Sequence, residues 1–299
     1  MKKSFIILAS LAVIAFIVLL LLRPNAKTDQ EISADIAATI YPIYDITRSI
    51  AGDVLEVGLV LPVGASPHTF EPTPSQIEKL QGASVVYAIG HGFDDWIDPL
   101  LETVGAEKRV IDDGITIRPS TDTEEGANDP HYWLTVANAK HIATTIAHDL
   151  ETRYPESAEL FEANLATYLV DLDQTDANIR MILSEIENRH LITLHDAWYY
   201  FAQEYGLYVV GTFEPSAGRE PTPQYLADLI TSMQEADVTT LYTEPQLDTS
   251  LLASFLDDYQ LTIATLDPLG GTAGSETYIQ MMISNAQTLE KNQNGTSTP

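Results

Sequence analysis

The stretch "ESAELFEANLATYLVDLDQTDANIRMILSEIE", residues 156–187, decides the architecture. Its apolar residues fall at Leu160, Leu165, Tyr168, Leu169, Leu172, Ile179, Ile182 and Leu183, a spacing that lines one face of a continuous helix. The spacing predicts a single amphipathic helix of about 30 residues, roughly 45 Å long at 1.5 Å per residue. That is more than one small domain needs. Pro155 separates this helix from an earlier helical stretch that begins at Ala137.

On both sides of it, short apolar runs alternate with helical stretches, the pattern of α/β architecture with parallel strands. Strands are expected near 37–40, 54–61, 84–88 and 110–111, and again near 191–194, 208–212, 239–242 and 261–266. Helices fall between them, at 197–205, 223–235, 249–259 and 275–289 in the second half. A short one at 74–80 has Thr73 as its cap and Pro74 in the first helical position. The fold class is therefore α/β: two α/β lobes with parallel sheets, bridged by one long rigid α-helix. The boundaries read as a lobe at 36–153, a linking helix at 154–189, a second lobe at 190–290 and a disordered tail at 291–299.

The chain carries 43 acidic against 15 basic residues, a formal charge of −28. Such a surface repels phosphate backbones, which excludes nucleic acid as a partner and weakly favours cations. There is no cysteine, so disulfides, thiolate metal sites and thiol nucleophiles are excluded together. The N-terminus has Lys2 and Lys3, then an apolar run of 18 residues from Phe5 to Leu22, then Arg23 and Pro24. That run just suffices to span a bilayer, and no small-residue cleavage pattern follows it closely. Residues 1–27 read as an uncleaved signal anchor with 28–35 as a polar tether, the lysine pair inside and the remainder exported.

In open α/β sheets, ligands bind beyond the carboxyl ends of strands. His68, in "ASPHTFEPTPSQ", lies in a loop stiffened by Pro67, Pro72 and Pro74. His195 in "LITLHDAWYYF" and Asp267 in "LTIATLDPLGG" each follow an expected strand. His131, in "NDPHYWLTVANA", closes the acidic loop 115–130. Taken alone, such a histidine is an ordinary solvated or hydrogen-bonded residue, and an Asp-Pro is an ordinary turn. Three imidazoles and a carboxylate at one cleft would instead form a tetrahedral zinc set. The wide spacing in sequence does not by itself require that convergence. His141 and His148 share a helix face and read as solvated, His91 follows an expected strand from which it could approach the cleft, and His190 is expected to end the long helix.

Several segments in order, "SPHTFEPTPSQIEKLQGASVVYAIG", "DPHYWLTVANA", "LHDAWYYFAQEYGL", "GREPTPQYLADLI", "YTEPQ" and "LDPLGG", together resemble the solute-binding receptors of bacterial zinc and manganese ABC importers. The resemblance runs from about Ala37 to Leu289. It implies two lobes bridged by a long helix, and metal ligands at His68, His131, His195 and Asp267. Glu71 and Glu244 recur in its motifs and read as groups that fix ligands or loops. The sequence departs from the family in lacking a lipoprotein cysteine and a His-rich loop, and in having Thr135-Val136 after the "HYWL" segment.

The reading is an exported receptor on the outer face of the cytoplasmic membrane, a monomer that carries Zn2+ to the membrane permease of an ABC metal importer. Mn2+, or iron, is the alternative cargo within the same family. A zinc-dependent hydrolase is the rival from another class; four protein ligands would close the position that such an enzyme keeps for water. No catalytic residue is assigned.

Overall fold

The computed structural model describes residues 34–120, 128–214, 221–247, 249 and 252–293. The anchor reading at 1–27 and residues 28–33 of the tether reading at 28–35 lie outside the described residues, as does the tail from 294. The tether's last two residues belong to the fold instead: Ala34 is buried and the Asp35 N–H donates to the Glu56 carbonyl at 2.9 Å. Among the described residues no helix is long and apolar enough to cross a membrane.

Among the described residues, eight strands form two sheets, every pairing parallel. The first holds β1 (Ile36–Ala38), β2 (Val57–Leu59), β3 (Val85–Ala88) and β4 (Glu107–Val110) in the order β2-β1-β3-β4. The second holds β5 (His190–Thr193), β6 (Tyr208–Thr212), β7 (Thr240–Thr243) and β8 (Thr262–Thr265) in the order β6-β5-β7-β8. The two sheets thus have the same winding. Each reverses strand order beside its first strand, where open α/β folds leave a crevice for ligand. Central strands "IAA" and "VVYA" are buried throughout, as parallel strands covered on both faces must be.

The helices are α1 (Tyr41–Ala51), α2 (Pro74–Lys79), α3 (Asp98–Val104), α4 (Val136–Arg153), α5 (Ala158–Leu183), α6 (Tyr199–Tyr205), α7 (Pro223–Glu235), α8 (Ala253–Tyr259) and α9 (Tyr278–Gln293). α2 starts as expected, with the Thr73 N–H donating to Gln76 Oε1 at 2.7 Å. α5 is the bridging helix. It packs on α1 and α4 before it and on α9 after it.

Several boundaries differ from the sequence reading. The linking helix runs for 26 residues rather than from 154 to 189, because Pro155–Ser157 form a separate tight turn and the helix closes at Leu183. The Arg189 guanidinium donates to the Leu183 carbonyl at 3.1 Å, and His190 opens β5 instead of ending a helix. The buried stripe is Phe161, Tyr168, Leu172, Thr175, Ile179 and Leu183, whereas Leu160 is 42% exposed. β4 begins three residues before the expected strand. It is an edge strand whose charged Glu107, Lys108 and Arg109 hide its pairing with β3. Residues 291–293, assigned to a disordered tail, are the last of α9.

The main apolar core is shared. One cluster runs from Ile36 through Trp133, Phe161 and Ile179 to Met282 and Leu289, and so crosses both sheets' territory along α5. Polar contacts repeat the join. Asp45 on α1 accepts from the Tyr278 N–H at the start of α9 (2.8 Å), and the Tyr278 hydroxyl donates to the Trp133 carbonyl (2.8 Å).

Candidate metal centre

His68 sits in a single helical turn, Pro67–Thr69, in the loop after β2. Pro67 occupies the first position of that turn, where a missing N–H costs nothing. His131 lies between the loop after β4 and the turn Tyr132–Leu134. That turn is anchored at two points: the Tyr132 hydroxyl donates to the Ile89 carbonyl (2.9 Å) and the Trp133 indole N–H to the Pro268 carbonyl (2.7 Å). Directly after it, the Asn138 N–H donates to Thr135 Oγ1 at the start of α4 (3.0 Å). The Thr135-Val136 departure therefore still makes a capped helix start. His195 follows β5 by two residues, and its carbonyl accepts from Thr193 Oγ1 at 2.8 Å.

These loops bring the three imidazoles together. Their ring centroids are 5.3–5.8 Å apart, and one ligand atom from each lies within 4.8 Å of the others. Ligand nitrogens on a tetrahedral zinc ion at 2.0–2.1 Å stand roughly 3.4 Å apart, so the cluster needs only a small contraction around an ion. The cavity between them has a volume of about 10 Å3, the scale of a single small occupant. Phe93, Trp133, Pro268 and Leu269 are among the residues that line it.

Carboxylates stand beside Nδ1 of two of the rings. Asp129 Oδ1 lies 3.0 Å from His131 Nδ1 and also accepts the His131 N–H at 3.0 Å. Its other oxygen pairs with the Arg118 guanidinium at 3.1 Å. Glu244, directly after β7, places Oε1 2.7 Å from His195 Nδ1 and takes the Trp198 indole N–H at 3.2 Å. A carboxylate at Nδ1 puts the proton there and leaves Nε2 as the lone-pair donor, the arrangement that orients metal-ligating histidines. His131 Nε2 is buried with no hydrogen-bond partner among the described residues. Burial, then the His195 and His131 rings beside it, hold the His68 imidazole well below the usual histidine range, so it is neutral at pH 7. A neutral, desolvated imidazole is ready for a cation.

Asp267 is placed differently from the histidines. It follows β8 as expected, but it is not part of the three-residue cluster. Its Oδ1 accepts from the Leu269 and Gly270 N–H groups (3.0 and 2.9 Å) and from Gln246 Nε2 (3.0 Å). The ordinary turn-forming role of an Asp-Pro is thus present in full. Of the remaining histidines, His91 is engaged by Asp112 at 3.0 Å, and His141 and His148 are exposed on α4. Glu71 is exposed. Sequence reasoning missed Asp129, Gln246 and the Trp133–Pro268 link. Asp129 had a signal, since it stands two residues before a candidate ligand.

The profile of the zinc-uptake complex component A family, described as periplasmic, matches residues 36–292. The chain belongs to that family. It is 31% identical over 251 residues to a manganese-binding lipoprotein, MntA, of Halalkalibacterium halodurans, covering 82% of this chain and 83% of that one. It is 28% identical over 311 residues to the zinc-binding lipoprotein AdcA of Streptococcus pneumoniae, covering 97% of this chain but only 61% of AdcA. Among solved structures, a crystal structure of ZnuA aligns with a TM-score of 0.77 at 30% identity, covering 87% of this chain and 99% of that one. A zinc-bound deletion mutant of ZnuA aligns with a TM-score of 0.78 at 30% identity. The family is that of a zinc-uptake component and these relatives are named as metal-binding lipoproteins, not as enzymes, which removes the hydrolase reading.

Proposed function

We propose that this protein is an extracytoplasmic receptor that binds Zn2+ between two lobes and delivers it to the permease of an ABC importer. The observation that carries this is the meeting of His68, His131 and His195 around a cavity of single-ion size. The first two come from loops of one sheet and the third from the other. Asp267 is the fourth ligand in this reading, reached by a small movement of its loop. The lobes take the boundaries 36–153 and 190–290, with 154–189 linking them. Residues 1–27 tether the monomer to the outer face of the cytoplasmic membrane.

Zinc is favoured because three imidazole nitrogens and one carboxylate oxygen match its tetrahedral preference, while manganese favours oxygen. The manganese reading draws support from the MntA relative. Native mass spectrometry of the purified protein, offered equal zinc and manganese, should find one zinc per chain. His68→Ala, His131→Ala and His195→Ala should each lose it. Full retention of zinc by all three variants would sink the proposal.

A further inference from the structure

β7 runs straight into Glu244, Pro245 and Gln246, and this turn serves two candidate ligands at once. Glu244 faces His195, while Gln246, two residues on, reaches Asp267. A carboxylate oxygen only accepts, so the amide atom facing Asp267 Oδ1 at 3.0 Å must be the Nε2 donor. Gln246 Oε1 is therefore on the other branch. It is buried without a hydrogen-bond partner among the described residues, on a side chain that lines the cavity.

The two oxygens of Asp267 are unequal in consequence. Oδ1 holds three donors, from Gln246, Leu269 and Gly270. Oδ2 has one long contact, from the Thr272 hydroxyl at 3.3 Å. The Leu269 and Gly270 N–H groups belong to the turn of Asp267 itself, whereas Gln246 comes from a different loop and lines the cavity, so its amide is the added donor that crowds Oδ1 against a cation. Oδ2 is available.

We propose that Gln246 is a specificity-determining residue: by occupying Oδ1 it limits Asp267 to one oxygen, and so closes the site at four ligands. This rests on the reading above, in which Asp267 is the fourth ligand. Zinc is satisfied by three nitrogens and one oxygen, whereas manganese prefers more oxygens, which a two-oxygen carboxylate would supply. The two backbone donors are built into the turn, so the Gln246 side chain is the one contact that a substitution can remove.

The test compares the full chain with Gln246→Met, similar in length but without a donor, and Gln246→Glu, which keeps the shape and repels Asp267. Competition titrations with zinc and manganese should show the zinc-over-manganese ratio falling at least about tenfold in both variants, the scale on which groups behind a metal ligand act. Cobalt(II) supplies a readout that simple loosening would not move. The wild type should give the intense visible absorption of a four-coordinate ion, and Gln246→Met the weak absorption of higher coordination. Equal weakening of both metals with an unchanged cobalt spectrum would overturn the proposal, because Gln246 would then only brace the site. Asp267→Ala separates the two levels. If it binds both metals as wild type does, the four-ligand reading itself fails. If it weakens them while the Gln246 variants keep the wild-type ratio, only the role of Gln246 falls.

Discussion

His195 Nδ1 lies 2.7 Å from Glu244 Oε1, with both side chains almost wholly buried. At that distance the carboxylate is close enough to favour a proton on Nδ1 and so leave Nε2 for an ion. Glu244→Gln keeps the shape but allows the amide to present either face to Nδ1. Zinc affinity should fall about 10- to 100-fold, with circular dichroism unchanged. Isothermal titration showing wild-type affinity would mean that Glu244 does not orient a ligand.

The His68 imidazole gives a pH signature in the metal-free protein. Its folded pKa is depressed by burial and by the neighbouring rings, while unfolded histidine titrates near 6.5. Below that value the unfolded chain binds a proton that the fold refuses, so stability drops as pH falls. The slope from this one group approaches about 1.4 kcal/mol per pH unit well below pH 6.5, which amounts to about 1 kcal/mol between pH 6.5 and 5.5. Urea melts at pH 6.5 and 5.5 should show that loss in wild type, and His68→Asn should show it reduced by about that amount. Identical slopes in the two proteins would contradict a buried neutral His68.

Asp45 works in the opposite direction. Burial raises its pKa, more than the Tyr278 N–H and the Arg48 charge lower it. Above the reference value of about 3.9 the folded state holds its proton longer than the unfolded one. The stability linked to it is present in acid and lost as pH rises through the raised pKa. Asp45→Asn keeps an acceptor for Tyr278 and carries no charge. It should melt higher than wild type at pH 7, with the gap closing toward pH 4. A variant that melts lower at pH 7 would show that the negative charge at the start of α9 outweighs its burial.

Loading should move loops rather than lobes. α5 and the apolar cluster along it tie the two sheets together, and a swing about that helix would break tight packing. Small-angle scattering of metal-free and zinc-loaded protein should give nearly equal radii of gyration. A marked compaction on loading would refute this.

The second half's strand-helix alternation and the long helix were legible because periodicity reports which face is buried. Phe161 against Leu160 shows the limit. Both are apolar neighbours, and only the packing of α1, α4 and α9 decides which of them faces inward. β4 was obscured because an edge strand carries charge where a central one cannot. His68, His131 and His195 were nameable from their positions after strands and from the family resemblance. Their convergence was not, since it depends on two sheets meeting. Gln246 escaped notice because a hydrogen bond to a residue 21 positions away leaves no local pattern.

The core that reaches from Ile36 to Leu289 also sets an order of events during synthesis. α1 and α5 are made early, yet part of their apolar surface is covered only by α9, residues Tyr278–Gln293. At about 5–20 residues per second, the ribosome needs several seconds after Leu183 to deliver that last helix. For that interval the nascent chain carries an open seam along α5. A chain truncated before Tyr278 would keep the seam permanently, and should aggregate rather than survive as a smaller receptor.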